Sequence, residues 1–154
     1  MIFVECKPDE VLIRTLGVPR TRLRHVHDKP RVIKLVRRRD GSTGMIDEDP
    51  TSAQPGFLKE FKEVDVEHRI KLLRHSEKES HLIVLCPRLE EWIIAAAEEV
   101  GIDPRRYGLP NDAAGLKRVI NYQLDEYRKL VEEVLDKGSQ RLGRLKALLS
   151  GSLG

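Results

Sequence analysis

Cysteine is nearly absent from this chain. Cys6 and Cys86 are the only two, far apart and with no CxxC spacing, which excludes a disulfide framework, a zinc ribbon and a thioredoxin-like redox centre. Aromatic residues are scarce at 5%, with a single Trp, so aliphatic side chains must fill the core. No apolar run approaches the roughly 20 residues a membrane-crossing helix needs; stretches such as residues 93–97 are among the longest. The N-terminus lacks the basic-then-apolar order of a secretory leader, so a cytoplasmic location without membrane association is the expectation. Internal repeats and low-complexity segments are also missing.

What is present is enough for a core. The 154 residues are 40% apolar and 34% charged, too hydrophobic for disorder and of a length to bury one domain without staples. One α/β domain is expected over residues 1–149, with a sheet-forming part to residue 86, helices over 87–149 and a flexible tail over 150–154. The net charge of +3 permits nucleic-acid contact without requiring it. Its distribution says more. Arg14, Arg20, Arg22, Arg24, Arg31, Lys34 and Arg37, Arg38 and Arg39 crowd the first quarter of the chain, so a polyanionic partner should meet the N-terminal half.

Short apolar runs alternate with amphipathic ones. Residues 2–5 form a strand that ends in Glu5. Pro8, Asp9 and Glu10 open a helix stopped by Gly17, in accord with proline and acids in a first turn and glycine past the end. A strand over 23–27 follows. Asp28 caps a helix with Pro30 in its first turn and Arg37, Arg38 and Arg39 at its end. Residues 43–47 make a third strand, again ending in an acid. This β-α-β-α-β order predicts a parallel sheet with right-handed crossovers. The stretch 48–56 is a loop, residues 57–61 add a turn of helix, and 70–74 and 81–86 are further strands. Beyond Cys86 the pattern is helical: one helix begins at Pro87, a long one runs from Asn111 or Asp112 to Gly138 along a stripe of Leu116, Ile120, Leu124, Tyr127, Val131 and Val134, and a last one starts at Ser139.

Three acids stand at strand ends: Glu5, Asp47 and Asp49. Adjacent βαβ units would set those ends side by side. Carboxylates gathered in a small volume need a counter-ion, and Mg²⁺ or Mn²⁺ suits hard oxygen donors. On the helix after Pro87, Glu90 projects about 90° to the side of a face formed by Leu89, Trp92, Ile93 and Ala96, whereas Glu91 points nearly opposite. Glu90 can therefore reach the same edge.

Val4-Glu5-Cys6-Lys7-Pro8-Asp9-Glu10 resembles the first motif of Toprim domains, an apolar residue followed by Glu-Gly-Lys-x-Asp-x, and Met45-Ile46-Asp47-Glu48-Asp49 resembles their apolar-Asp-x-Asp motif. Pro87-Arg88-Leu89-Glu90-Glu91-Trp92 is similar to a segment of small Toprim-like proteins after their last core strand. The resemblance covers about the first third of the chain. It implies a Rossmann-like, mostly parallel Toprim sheet flanked by helices with a helical C-terminal third, metal ligation by Asp47 and Asp49, and a metal-assisted or acid/base role for Glu5. Cys6 replaces the usual Gly, and Pro50-Thr51 follows Asp49 where topoisomerases carry Arg-Glu-Gly. These departures, with the small size, direct the resemblance to stand-alone Toprim-like proteins, nucleases among them.

The expected function is therefore a Mg²⁺- or Mn²⁺-dependent nuclease using Glu5, Asp47, Asp49 and Glu90, with DNA or RNA positioned by Lys7, Arg20, Arg22, Arg37, Arg38 and Arg39. Lys7 reads equally as a solvated loop residue, and the Arg37 to Arg39 run as a solvated helix end. His25 and His27 read as a structural pair, because the His-x-His-x-Asp-His pattern of metallo-hydrolases is incomplete. The alternative is a non-catalytic metal- or nucleic-acid-binding module, or a regulatory subunit acting with a protein partner or a second copy.

Overall fold

The computed structural model describes residues 1–151 as a six-stranded sheet in the order β2-β1-β3-β6-β5-β4. β1 (Ile2–Val4) pairs in parallel with both β2 (Leu23–His25) and β3 (Thr43–Asp47), and β3 pairs in parallel with β6 (His81–Leu85). β5 (Ile70–His75) runs antiparallel to β6, and β4 (Phe61–Glu67) antiparallel to β5 at the sheet margin. The chain is thus α/β with a mostly parallel sheet flanked by helices. No helix of the described residues is long and apolar enough to cross a membrane.

Crossover handedness fixes the layers. The step from β1 to β2 and the step from β2 to β3 run in opposite directions across the sheet, so right-handed crossovers place their helices on opposite faces. α1 (Lys7–Thr15) accordingly buries Leu12 and Ile13 against Ile2, Val4, Met45 and Ile83, whereas α2 (Lys29–Val36) buries Val32, Ile33 and Val36 against Phe3, Ile46 and Leu82. Successive strand residues alternate between these two cores, the period of two expected of a pleated sheet. The side chain of Asp28 accepts from the Arg31 amide at 2.7 Å and caps α2. Gly44 lets α2 approach closely: a Cβ there would lie 2.6 Å from Val32 Cγ1 and 2.9 Å from Val36 Cγ2.

The remaining helices join the α1 side. α3 (Leu89–Glu99) buries Trp92, whose indole N–H donates to the His68 carbonyl at 3.1 Å. α3 begins at Leu89 with Arg88 as its N-cap residue, two positions later than Pro87 suggested. The expected long helix to Gly138 is two: α4 (Ala113–Val119), a single 3-10 turn over Ile120–Tyr122, and α5 (Leu124–Asp136). α4 packs on α3, whereas α5 packs chiefly on α1 and also touches α3, so the chain changes direction between them. α6 (Gln140–Leu149) closes the layer, with Ser150 as its C-cap. Of the expected tail, residues 152–154 lie outside the described residues.

β4 is absent from the sequence reading. Only Phe61 is buried on this edge strand, so apolar alternation never develops. Its turn to β5 uses His68 and Arg69, both at positive φ (54° and 59°). That is the conformation of a tight hairpin turn, reached without the usual Asn-Gly or Asp-Gly. Arg144 of α6 holds the strand through Asp65 at 2.6 Å and Glu67 at 3.4 Å.

Candidate active site at the C-terminal edge of the sheet

Strand order locates the crevice. β1 leads to β2 on one side and β3 leads toward β6 on the other, so the connections diverge between β1 and β3. In open α/β sheets ligands bind outside the carboxyl ends of the strands at such a switch point. Glu5 and Asp47 stand there. The Asp47 backbone N–H donates to Glu5 Oε2 at 3.1 Å, and the Leu89 N–H at the start of α3 donates to Asp47 Oδ1 at 3.0 Å. Asp47 therefore caps α3 from across the sheet, where the helix's own N-cap residue supplies no side-chain acceptor. Each of the two carboxylates has one oxygen held by a backbone amide.

Two further acids enter from helix first turns. Asp9 of α1 is 2% exposed and Glu90 of α3 is 9% exposed. Burial, then the neighbouring Asp9, Glu5, Glu90 and Asp49 carboxylates, pushes the Asp47 carboxyl up to about 9. Burial, then Glu5 and Glu90, pushes Asp9 up to about 7. Burial likewise raises Glu5 and Glu90, with Lys29 and Lys117 respectively opposing. At neutral pH such a group either keeps protons or takes up cationic charge. The N-termini of α1 and α3 contribute positive ends of their dipoles.

Tyr127 of α5 lies in the same electrostatic neighbourhood. Its ring is fully buried, its hydroxyl has no hydrogen-bond partner, and burial, then the neighbouring Asp9, Cys6, Glu90 and Asp47, raises its ionisation well above the usual range. Buried hydroxyls are nearly always paired. An unpaired one facing carboxylates needs a water or ligand to satisfy it. Asp49, at φ 45°, instead forms an ion pair with Arg88 Nε at 2.9 Å, and Arg88 also reaches Glu91 at 3.4 Å. Lys29 Nζ donates to the Glu48 carbonyl at 3.0 Å and to Gln54 at 2.9 Å, tying down the loop beyond β3. Among the described residues, no three His, Cys, Asp or Glu side chains converge closely enough to form a ready metal site.

The chain matches no family model, no curated protein and no solved structure. What the site can do must be read from its own chemistry.

Glu5, Asp47, Asp49 and Glu90 are brought into one electrostatic neighbourhood. Lys7 is not part of it: the side chain is exposed, lines an open groove between α1 and α5, and makes no hydrogen bond to the acids. Arg20 and Arg22 occupy a 3-10 turn before β2, and Arg22 lies with Met1, Thr43 and His81 at the N-terminal edge of the sheet, opposite the acids. Arg37 is committed elsewhere, its Nη2 donating to Glu60 at 2.8 Å and its guanidinium 4.0 Å above the Phe57 ring. Arg39 lies 5.9 Å from the Phe3 ring centroid. Arg38 is exposed. His25 and His27 do not share a strand face, because His27 lies past β2 at φ 74°; their rings still meet, with centroids 4.4 Å apart.

Asp9 and Tyr127 were missed. Asp9 sits four residues beyond Glu5, in the first turn of α1, a spacing that could have flagged it. Tyr127 carries the one polar group in an otherwise aliphatic stripe of α5, which is the signal it offered.

Proposed function

We propose that the chain is a Toprim-like, Mg²⁺- or Mn²⁺-dependent phosphodiester hydrolase acting on nucleic acid. The observation that carries this reading is the group of carboxylates at the switch point, Asp9 and Glu90 buried and Glu5 and Asp47 half-buried, beside an unpaired Tyr127 hydroxyl. Capping α3 accounts for one oxygen of Asp47, and pairing with Arg88 accounts for Asp49. Neither accounts for Asp9, Glu90 and Tyr127 being buried beside them. All-oxygen donors suit a hard divalent cation.

Glu5 and Asp47 would hold the cation through the oxygens their amide partners leave free, with Glu90 from α3 and with Asp49 once it parts from Arg88. Such an ion, when bound, lowers the pKa of water and neutralises charge on a phosphoryl oxygen. The chain's own contributions are positional. The Asp47 amide fixes the Glu5 carboxylate, whose pKa burial has raised, as an acceptor for a proton from attacking water. The α1 and α3 N-termini favour developing negative charge at this edge. Tyr127 offers a buried O–H donor beside the acids.

A second reading, a non-catalytic module of the same fold type, is favoured by the Asp49–Arg88 ion pair, which keeps one expected ligand from the others. Cleavage of labelled single-stranded DNA, duplex DNA and structured RNA with Mg²⁺ or Mn²⁺ separates the two. Metal-dependent cutting that is lost in Glu5→Gln, Asp47→Asn is expected of the hydrolase. A wild type that cuts nothing, or a double variant that cuts equally, overturns the hydrolase and leaves the module as the better reading.

A further inference from the structure

We propose that the groove between β2 and α2 is a track for the phosphate backbone of a single-stranded nucleic acid, leading it to the acidic edge. Arg24, Arg31, Lys34 and Arg38 line it together with His25 and His27, and no carboxylate is among its lining residues. All four cations are exposed, and none is in an ion pair or hydrogen-bonded to an acid. This sets them apart from Arg37, Arg88, Arg141 and Arg144, which are each neutralised by a carboxylate. Four unpaired cations in one concave surface repel one another, and a polyanion relieves that repulsion.

The arrangement has a direction. α2 starts at the C-terminal edge of the sheet and ends at the opposite edge, so Arg31, Lys34 and Arg38 form a line from the acid cluster outward. Arg31 and Lys34 lie three residues apart on α2, about 4.5 Å along its axis at a rise of about 1.5 Å per residue, and Arg38 follows in the turn just past the helix. At the inner end His25 Nε2 lies 3.0 Å from the Glu5 carbonyl oxygen, so the groove and the acids share a wall. The adjoining His25 and His27 rings offer a base a stacking surface there. A groove of about 480 Å³ suits one strand. Lys7, Arg20 and Arg22, expected from sequence to bind nucleic acid, lie outside it. The inference rests on the proposed function for what the strand meets at the acids, and its test does not.

Fluorescence anisotropy of a labelled oligothymidylate, titrated with the full chain in EDTA at several salt concentrations, reads binding without cleavage. Arg31→Gln, Lys34→Gln, Arg38→Gln is expected to weaken binding at least about tenfold at low salt and to flatten the slope of log K on log salt by about 2, since each lost single-strand contact is worth about 0.7. Lys34→Gln alone should flatten it by about 0.7, and Arg118→Gln, Lys137→Gln, which removes two exposed cations elsewhere, should leave it unchanged. Unaltered melting curves show that each variant folds. The inference is overturned if the triple variant keeps wild-type affinity and slope, or if the wild type ignores the oligonucleotide, including the case in which it sediments with anionic vesicles instead. Binding in EDTA without cleavage in Mg²⁺ would keep the track and remove the hydrolase; cleavage without groove dependence would do the reverse.

Discussion

Replacing Asp47 with Asn should change how stability depends on pH. The Asp47 carboxyl is pushed up to about 9 by burial and by Asp9, Glu5, Glu90 and Asp49, whereas an unfolded chain titrates it near 3.9. Between these values the native state holds a proton that the unfolded state does not. Stability is therefore fully present below about pH 4, falls as pH rises, and levels off above the folded value, at a slope of up to about 1.4 kcal/mol per pH unit for one proton. From pH 6 to pH 8 Asp47 alone removes up to about 3 kcal/mol. Asp9, pushed up to about 7, adds to the loss only up to that pH. Asn resembles the protonated acid and keeps an oxygen for the Leu89 amide. In metal-free buffer, urea denaturation should show the wild type losing stability over this range and Asp47→Asn losing less than half as much, with the variant the more stable at pH 8. Parallel profiles for the two proteins would refute the electrostatic reasoning.

Gly44→Ala should cost about 1–3 kcal/mol in the same denaturation assay, because the added Cβ would lie 2.6 Å from Val32 and 2.9 Å from Val36, both buried in α2; a change under a few tenths of a kcal/mol would mean that α2 can shift freely. Tyr127→Phe removes a buried hydroxyl without a partner, so metal-free stability should hold or rise by about 1 kcal/mol. In the same variant the melting-temperature increase given by Mn²⁺ should shrink. A variant that loses stability without metal would show that the hydroxyl is already bonded.

The parts of the fold legible in sequence are those where one physical rule acts alone. β1 and β6 are buried on both faces and carry the apolar runs Ile2–Val4 and Leu82–Leu85, β3 is marked by Met45 and Ile46 before its terminal acid, and α2 announces itself through Asp28 and Pro30. β4 was hidden because an edge strand with one solvated and one weakly covered face has no alternation to detect, and because His68 and Arg69 turn without glycine. The stripe from Leu116 to Val134 was continuous in sequence, yet only α5 reaches across to α1, and the chain breaks between α4 and α5 to bring it there.

For the site, Glu5 and Asp47 could be placed at strand ends, but strand order was needed to set them on either side of one crevice. The same order sends Arg22 to the far edge. No local pattern carries that information. Tyr127 reaches the acids only through the packing of α5 against α1, and the pairing of Asp49 with Arg88 follows from α3 beginning beside the loop after β3.

The central claim is that the carboxylates clustered at the switch point take up a divalent cation, and the most direct measurement is Mn²⁺ binding followed by the loss of the free-ion signal in electron paramagnetic resonance at pH 8. The account predicts saturable binding by the wild type, competed by Mg²⁺ and lost in a folded Glu5→Gln, Asp47→Asn variant. Binding that survives the double substitution, or a wild type that leaves the Mn²⁺ signal unchanged, would contradict it.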